Sequence, residues 1–536
     1  MLTRKCARAA INAGLLAGLL VATGCSTIPN WSQFRYSSIR QADQYFESEL
    51  NNPSKVSTLH PGWSAPFHPS NATWFTSSPI VYNGMLYIGN GNGFFYAINI
   101  STGAQVWQYP PAGGKALVSK FTCNPSSYGI ASSAAITTIG STDAVIFGAP
   151  DQSSGKHLGD GHLFALNAAS GALIWESPAL AQVTGTTMGS TSELHEQLGY
   201  SAPLVWNGAV YIGTADHCDD PIQQGKIMAV DVATGNLKSG FSFSATPTRG
   251  GGVWSSPSAY DSWLFISTGN TRIGASPQPS PNYGLSMLSL DGNTGAVVWQ
   301  HQPVPFSLDD DPDWSATPAV TWPTSCANMI VATEKDGWTW GVNETSTSSA
   351  ASVAWAFPPG PWSTGGFKPT DGTVHGDTDY KRPGTSWGSV FAGTMGGYDT
   401  TTNLTAGYPR LTALNICGSD TQRVRWLKDI PATSGPTYDL GPPTVTGGMF
   451  FVGTAGGHVV AVADPSIQAA LGSRCEDPDI SNSLCTKAGH RLVPDPWIKD
   501  VALPGGSNDG IFGEPVIVNG KIYVATWAGN VYMLQP

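Results

Sequence analysis

The sequence predicts an all-β fold, an eight-bladed β-propeller of four-stranded antiparallel blades whose last blade is closed by an N-terminal strand. Three observations predict it. A phrase made of a small residue, a gap, Asn or Asp, then Thr-Gly and a later Trp keeps returning along the chain. It reads Ala97-Ile98-Asn99 with Thr102-Gly103 and Trp107, then Ala165-Leu166-Asn167 with Ser170-Gly171 and Trp175. It returns at Asp231 with Thr234-Gly235, and at Asp291 with Thr294-Gly295 and Trp299. Second, Asn-Gly pairs sit between short apolar runs, at Asn83-Gly84, Asn207-Gly208 and Asn519-Gly520, which is a strong hairpin signal. Third, the repeat breaks off at the C-terminus with a strand missing, while a spare strand lies near the N-terminus.

Each unit reads as four strands, A to D. Ser78–Tyr82 is strand A of the first, Met85–Gly89 strand B after the Asn-Gly turn, the run ending at Asn99 strand C, and the run around Trp107 strand D. The Thr-Gly pair turns C into D, with Gly free to take positive φ. A single sheet of this kind buries neither face, so units of fixed period must stack around an axis. The strand-D position is filled in turn by Trp107, Trp175, Ser239, Trp299, Trp355, Trp426 and Trp497. The last unit, 513–534, has A, B and C only. The stretch 59–67, with Trp63, supplies the missing strand, closes the ring and removes its open sheet edges.

The chain has 536 residues, of which 63 are Gly and 12% are charged, with a net charge of −11. The acidic balance argues against a nucleic-acid partner. Residues 1–24 form a signal peptide: Arg4, Lys5 and Arg8 precede a short apolar run from Ala9 to Ala22. Ala22-Thr23-Gly24-Cys25 has the form of a bacterial lipoprotein cleavage site, which makes Cys25 a lipid anchor and the membrane a partner; the alternative is a plain secretory signal. Ser26 after the Cys points to the outer membrane. The expected location is the periplasm or cell surface. Residues 25–58 read as a tether and 59–536 as the propeller.

Six further cysteines in an exported chain imply disulfides. In a propeller the D–A and B–C connections lie on one face and the A–B and C–D connections on the other. Cys475 with Cys485 share one insertion, Cys123 with Cys218 share one face, and Cys326 with Cys417 share the other face on adjacent blades. These are the expected pairs. No Cys-x-x-Cys-His occurs, so covalent haem is not expected.

The repeats resemble the pyrroloquinoline quinone (PQQ) repeat family, over about 63–536. The family includes quinoprotein alcohol dehydrogenases, polyvinyl alcohol dehydrogenases among them, and a non-catalytic outer-membrane assembly lipoprotein. Four local matches carry the chemistry that the resemblance implies. Gly250-Gly251-Gly252-Val253-Trp254 resembles the segment whose Trp lies beneath the PQQ ring, as a flat cofactor needs. Thr268-Gly269-Asn270 resembles the segment whose Asn contacts calcium and cofactor. Asp309 to Pro318 resembles the acidic stretch of polyvinyl alcohol dehydrogenases, which on that match makes Asp311 the catalytic base and a calcium neighbour. Glu334-Lys335-Asp336-Gly337 resembles the turn whose cation faces the quinone oxygens, a role that falls to Lys335. Trp387 resembles a second Trp of the funnel.

The blade 3 B–C loop departs from the pattern. Gln224 stands where the dehydrogenases have an Arg, and the calcium-binding Glu is missing, with Asp219 or Asp220 as the available substitute. The vicinal cysteine pair of many family enzymes is also missing. The resemblance implies an alcohol or polyol oxidised with PQQ and calcium, and electrons passed to a separate acceptor or envelope protein. The alternative is a scaffold or binding lipoprotein that has lost the cofactor site. A sugar- or polymer-binding propeller is a third reading, drawn from the 19 Trp.

Overall fold

The computed structural model describes residues 30–536, apart from 45–46, 72, 121–126, 152–158, 184–195, 199, 217–221, 272–279, 304–312, 315, 322–325, 335–337, 346–350, 358–378, 381–389, 396–409, 420–421, 431–440 and 477–480. The architecture is an all-β propeller of four-stranded antiparallel sheets.

Blade 1 is Ile80–Tyr82, Met85–Gly89, Phe95–Asn99 and Gln105–Tyr109. Blade 2 is Ala135–Ile139, Thr142–Asp151, Asp160–Asn167 and Leu173–Glu176. Blade 3 is Leu204–Trp206, Ala209–Thr214, Lys226–Asp231 and Phe243–Ser244. Blade 4 is Ser258–Tyr260, Trp263–Ser267, Met287–Asp291 and Val297–His301. Blade 5 is Ala319–Thr321, Met329–Thr333, Thr339–Asn343 and Val353–Phe357. Blade 6 is Thr444–Thr446, Met449–Gly453, His458–Ala463 and Trp497–Ala502. The closing blade is Val516–Val518, Lys521–Ala525 and Val531–Gln535, completed by His60–Pro61.

The expected count of eight is thereby corrected to seven blades, the number described through all four strands with their side chains. Between blades 5 and 6 the chain forms a further four-stranded sheet of Asp379–Tyr380, Val390–Met395, Arg410–Asn415 and Val424–Asp429. The side chains of its two innermost strands lie outside the description. The sequence there gives a reason: 358–409 is rich in Gly, Pro, Thr and Asp, and the first strand shrinks to two residues where the other blades have three or more.

Closure by the N-terminal strand is borne out. His60 pairs with Gln535 and Pro61 with Leu534, and Phe67 bridges Val531. Trp63 then acts as the strand-D Trp of the closing blade, and its geometry explains the repeated phrase. Its indole packs over Gly103 of the next blade and donates to the Ile100 carbonyl at 3.1 Å. Trp107 repeats this over Gly171 with the Ala168 carbonyl (3.1 Å), and Trp175 over Gly235 with the Val232 carbonyl (3.2 Å). The Gly of Thr-Gly takes φ near +73° and leaves room for the neighbouring indole. Asn99, Asn167, Asp231 and Asp291 each accept hydrogen bonds from the two N–H groups just ahead of that Gly, which fixes the turn. Where strand D of blade 3 carries Ser239 in place of Trp, Lys238 and Tyr211 both donate to the Gly292 carbonyl.

A second set of bonds links the inner strands. The residue before each strand-A Pro donates its N–H to a hydroxyl on the next blade: Glu514 to Ser78, Ser78 to Ser133, Ala202 to Ser256 and Ser256 to Thr317.

Residues 31–44, part of the stretch 25–58 expected to be a tether, are packed inside the ring. The chain enters beside blade 1, where Trp31 bridges Val81, then passes blade 2 (Gln33 with Ala135) and blade 6 (Asp43 with Val445). Ser38 accepts from Ala259 of blade 4, and Ile39 from Val320 of blade 5. Arg40 donates to the carbonyls of Pro203 and Pro257, and Gln44 to that of Ile517. All these partners lie on or just before first strands, which line the central channel, so 31–44 runs through it. Arg35, Tyr36, Arg40 and Ala42 all take positive φ, a strain sustained only because the surroundings fix each residue. Arg35 lies 3.6 Å from Glu514, whose Oε1 accepts from the Arg35 N–H (2.8 Å) and the Trp31 indole (3.3 Å). Burial pushes the Glu514 carboxyl up and the Arg40 guanidinium down to about 9, each partly offset by the other's charge.

Two expected disulfides are present. Cys326–Cys417 joins blade 5 to the next sheet, and Cys475–Cys485 closes the insertion before the last strand of blade 6, each with Cα atoms 5.6 Å apart. Cys123, Cys218 and Cys25 lie outside the described residues.

Candidate active site

The D–A and B–C connections of blades 3 to 5 form one mouth of the ring. Three strips of backbone interlock there. Gly225 donates to Gly250 and Gly250 to Gln223; Gly251 donates to Asn270 and Gly269 to Gly252. Such close approach needs Gly. A Cβ on Gly225 would collide with the Gly251 carbonyl and one on Gly213 with that of Val253, while Gly250 and Gly251 take φ of +104° and +72°. The Gly250-Gly251-Gly252 run is thus the seam that fixes Trp254 against Asn270.

Gly269 is the meeting point. A Cβ placed there would lie 3.1 Å from Asp313 Oδ1 and 3.3 Å from Trp254 Nε1. The structure therefore brings Trp254 and a carboxylate to one spot, beside the backbone of Asn270. The carboxylate is Asp313, only 5% exposed; Asp311, expected as the base, lies outside the described residues, as do Lys335 and Trp387. Sequence reasoning missed Asp313 because Asp309, Asp310, Asp311 and Asp313 form one acidic run. The signal that separates it is Trp314, fully buried and bridged to Glu334, which carries its neighbour inward.

Three other groups went unread. Glu334, 1% exposed, accepts from the Trp340 indole at 3.0 Å. His301 packs its ring on Trp340 (4.5 Å) and Trp314 (6.1 Å), and burial lowers it to about 4, so it is neutral at pH 7. Glu196 forms a buried ion pair with Lys226 at the blade 3 rim. On that blade Gln224 donates to the Thr246 carbonyl, so the amide standing in the Arg position secures its own loop.

The donor set suits a planar cofactor with a hard cation in part: a half-buried indole and a buried carboxylate converge beside Gly269, with Asn270 next to it in the chain, while the rim groups of blade 3 are already engaged. Among the described residues the group that could hold a metal by proximity is a different one, Asp151, His162 and Glu176 on blade 2, whose ligand atoms lie within 4.8 Å of one another.

A four-stranded repeat of this kind arranged in a ring, with a Trp, an Asn and an acid at one mouth, defines a class of quinone-dehydrogenase-like propellers. The chain belongs to that class by comparison too: residues 31–344, more than half its length, match the family described as "PQQ: Glucose/ethanol/alcohol dehydrogenase, beta-propeller domain". It is 23% identical over 355 residues to a quinohemoprotein alcohol dehydrogenase of Comamonas testosteroni, covering 59% of this chain and 44% of that one. It is 21% identical over 274 residues to the quinoprotein alcohol dehydrogenase PedH of Pseudomonas putida, covering 49% and 45%. The chain thus matches less than half the length of these relatives. Among solved structures it is similar to quinohemoprotein alcohol dehydrogenase ADHIIG of Pseudomonas putida HK5 (TM-score 0.62, 16% identity, 94% of this chain and 80% of that one). It is also similar to a europium-containing methanol dehydrogenase (TM-score 0.60, 15% identity, 95% and 98%).

Proposed function

We propose that the chain is an exported quinoprotein-type propeller that oxidises an alcohol or polyol at the mouth of blades 3 to 5, with PQQ and a divalent cation such as calcium. The convergence of Trp254 and Asp313 on Gly269, next to Asn270, carries this reading. Trp254 offers its flat face to the quinone, Asn270 its amide oxygen to the cation, and Lys335 a positive charge to the quinone oxygens. When bound, the cofactor supplies the hydride acceptor. Asp313, in place of Asp311, takes the hydroxyl proton of the alcohol on a carboxylate oxygen held away from bulk water. The Cys326–Cys417 and Cys475–Cys485 disulfides support an oxidising compartment. Anchoring through Cys25 and electron transfer to a separate carrier complete the proposal.

Blade 3 favours a second reading, a propeller that binds without catalysis. Gln224 and Glu196 are occupied by Thr246 and Lys226, so a cofactor carboxylate loses a charged partner worth about 1.5–3 kcal/mol, roughly tenfold or more in affinity. Calorimetry with PQQ and Ca²⁺, followed by dye reduction with alcohols, separates the two. The dehydrogenase reading expects binding weakened to the micromolar range and turnover that falls at least a hundredfold in Asp313→Asn. Absence of heat at high micromolar PQQ, with an unchanged melting temperature, leaves the binding propeller.

A further inference from the structure

The same mouth carries aromatic rings that the proposed chemistry does not use. Tyr200, Trp254 and Phe512 each stand three residues before the strand-A Pro of their blade, at Pro203, Pro257 and Pro515. They therefore recur at one register of the D–A connection. From Phe512 a chain of ring contacts runs round the mouth. Phe512 meets Trp527 edge-on at 5.3 Å, and Trp527 stacks on Trp74 at 5.5 Å with planes 14° apart. Trp74 meets Tyr128 at 5.6 Å, and Tyr128 meets Tyr200 edge-on at 5.5 Å. All five lie in D–A or B–C connections, from the closing blade through blades 1 and 2 to the start of blade 3. The next connection holds Trp254.

Two rings of this arc are open to solvent, Trp527 at 44% and Tyr200 at 42% exposure, while Tyr128 between them is buried and braces Trp74 and Tyr200. The rings are held in place. Gly91 donates to the Trp74 carbonyl at 3.0 Å, and a Cβ on Gly91 would collide with the Trp74 indole. Trp527 donates its N–H to Gly510 at 2.7 Å. Beside them stand the half-buried amides Asn71 and Asn92, held by the buried pair Tyr96 and Asn90. Tyr96 hydrogen-bonds Asn71 at 2.6 Å and accepts from Asn90, while Asn92 donates to the Asn71 carbonyl. A small cavity of about 20 Å³, room for about one water, lies next to Tyr128, bordered by Ser119, Gln197 and several glycines.

Flat aromatic faces flanked by amides and hydroxyls recognise rings with apolar C–H faces and equatorial hydroxyls. Pre-set rings bind such a chain without a large ordering cost. We infer that the exposed rings of this arc, Trp527 and Tyr200, braced by Phe512, Trp74 and the buried Tyr128, form a rail for a neutral oligosaccharide, leading it to the blade 3 edge of the mouth. It needs neither cofactor nor metal, so it stands or falls apart from the redox proposal.

The test is affinity electrophoresis of the full chain, without PQQ or Ca²⁺, through native gels containing hydroxyethylcellulose, dextran or polyvinyl alcohol. The expected result is retardation by at least one of the two polysaccharides. It should weaken about tenfold in Trp527→Ala and in Tyr200→Ala, with melting temperatures within a few degrees of the parent, and persist in Trp527→Phe. Free migration through both polysaccharide gels overturns the inference. So does retardation that both Ala variants keep, and so does retardation by polyvinyl alcohol alone, which would point to a flexible chain without sugar rings.

Discussion

His301 shows what burial does to one residue. It is held neutral between Trp314 and Trp340, lowered by burial to about 4 from an ordinary 6.5. Its folded value lies below its unfolded one, so below pH 6.5 the unfolded chain binds the extra proton first. Stability contributed by this group is complete above pH 6.5 and declines as pH falls toward 4, by about 3 kcal/mol in all. Thermal melts between pH 7 and 4 should show that slope, flattened in His301→Phe. Asp464 behaves in a related way. Burial raises its carboxyl, but Arg425, bonded through both nitrogens at 2.7 and 2.8 Å, holds it below the usual carboxylate range. Its contribution is present above about pH 4 and is lost as pH falls through the lowered value. Asp464→Ala strands Arg425 and the Trp426 indole, which also bonds Asp464, and should cost about 3 kcal/mol in denaturant melts at pH 7. An unchanged midpoint would show that the pair is solvated. At this scale the candidate site was half legible. Trp254 and Asn270 follow from local phrases, whereas choosing among Asp309, Asp310, Asp311 and Asp313 depends on which side chain turns inward, and that is set by the packing of Trp314.

At the scale of the element, the unit is the hairpin plus the Trp–Gly dock. Asn83, Asn207 and Asn519 all take positive φ in the A–B turns, as a two-residue hairpin requires. These turns, the Thr-Gly turns and the strand-D Trp positions were readable because every determinant lies within a few residues. The dock itself joins neighbours: Gly171 must lack a side chain because Trp107 of the preceding blade rests on it. Gly171→Ala should destabilise by about 2 kcal/mol, combining a positive-φ penalty with the displaced indole. The same substitution at Gly208, which also has positive φ but nothing within 4 Å, should cost less. Equal losses at the two sites would show that the dock contributes nothing. The weak element is the sheet between blades 5 and 6, whose first strand is only two residues long, and this is where the expected blade count failed.

At the scale of the whole molecule, the ring is fastened twice. His60–Pro61 and Trp63 complete the closing blade, and residues 31–44 bind the inner strands from within. Trp63→Ala should cost about 3–5 kcal/mol, since a buried Trp at the seam is lost. Deleting 30–44 should leave a chain with native-like strand content that melts at much lower temperature, because buried partners such as Glu514 lose their ion pair and indole donor. A deletion variant that melts with the parent would show the inner segment to be dispensable. The sequence could not announce this segment. Its apolar residues have no period, and its partners lie up to 483 positions away.

That separation bears on how the chain reaches its fold. Trp31 and Arg35 emerge early in synthesis, and Glu514 comes near the very end. Loop closure over so many residues is slow, and non-local pairing sets the rate. The outer blades are local and can form in sequence, but the axis cannot be filled until both ends of the chain exist. Residues 31–44 therefore find their places only after later parts of the chain, and a chain cut short before Glu514 loses three strands of the closing blade and leaves the hub open.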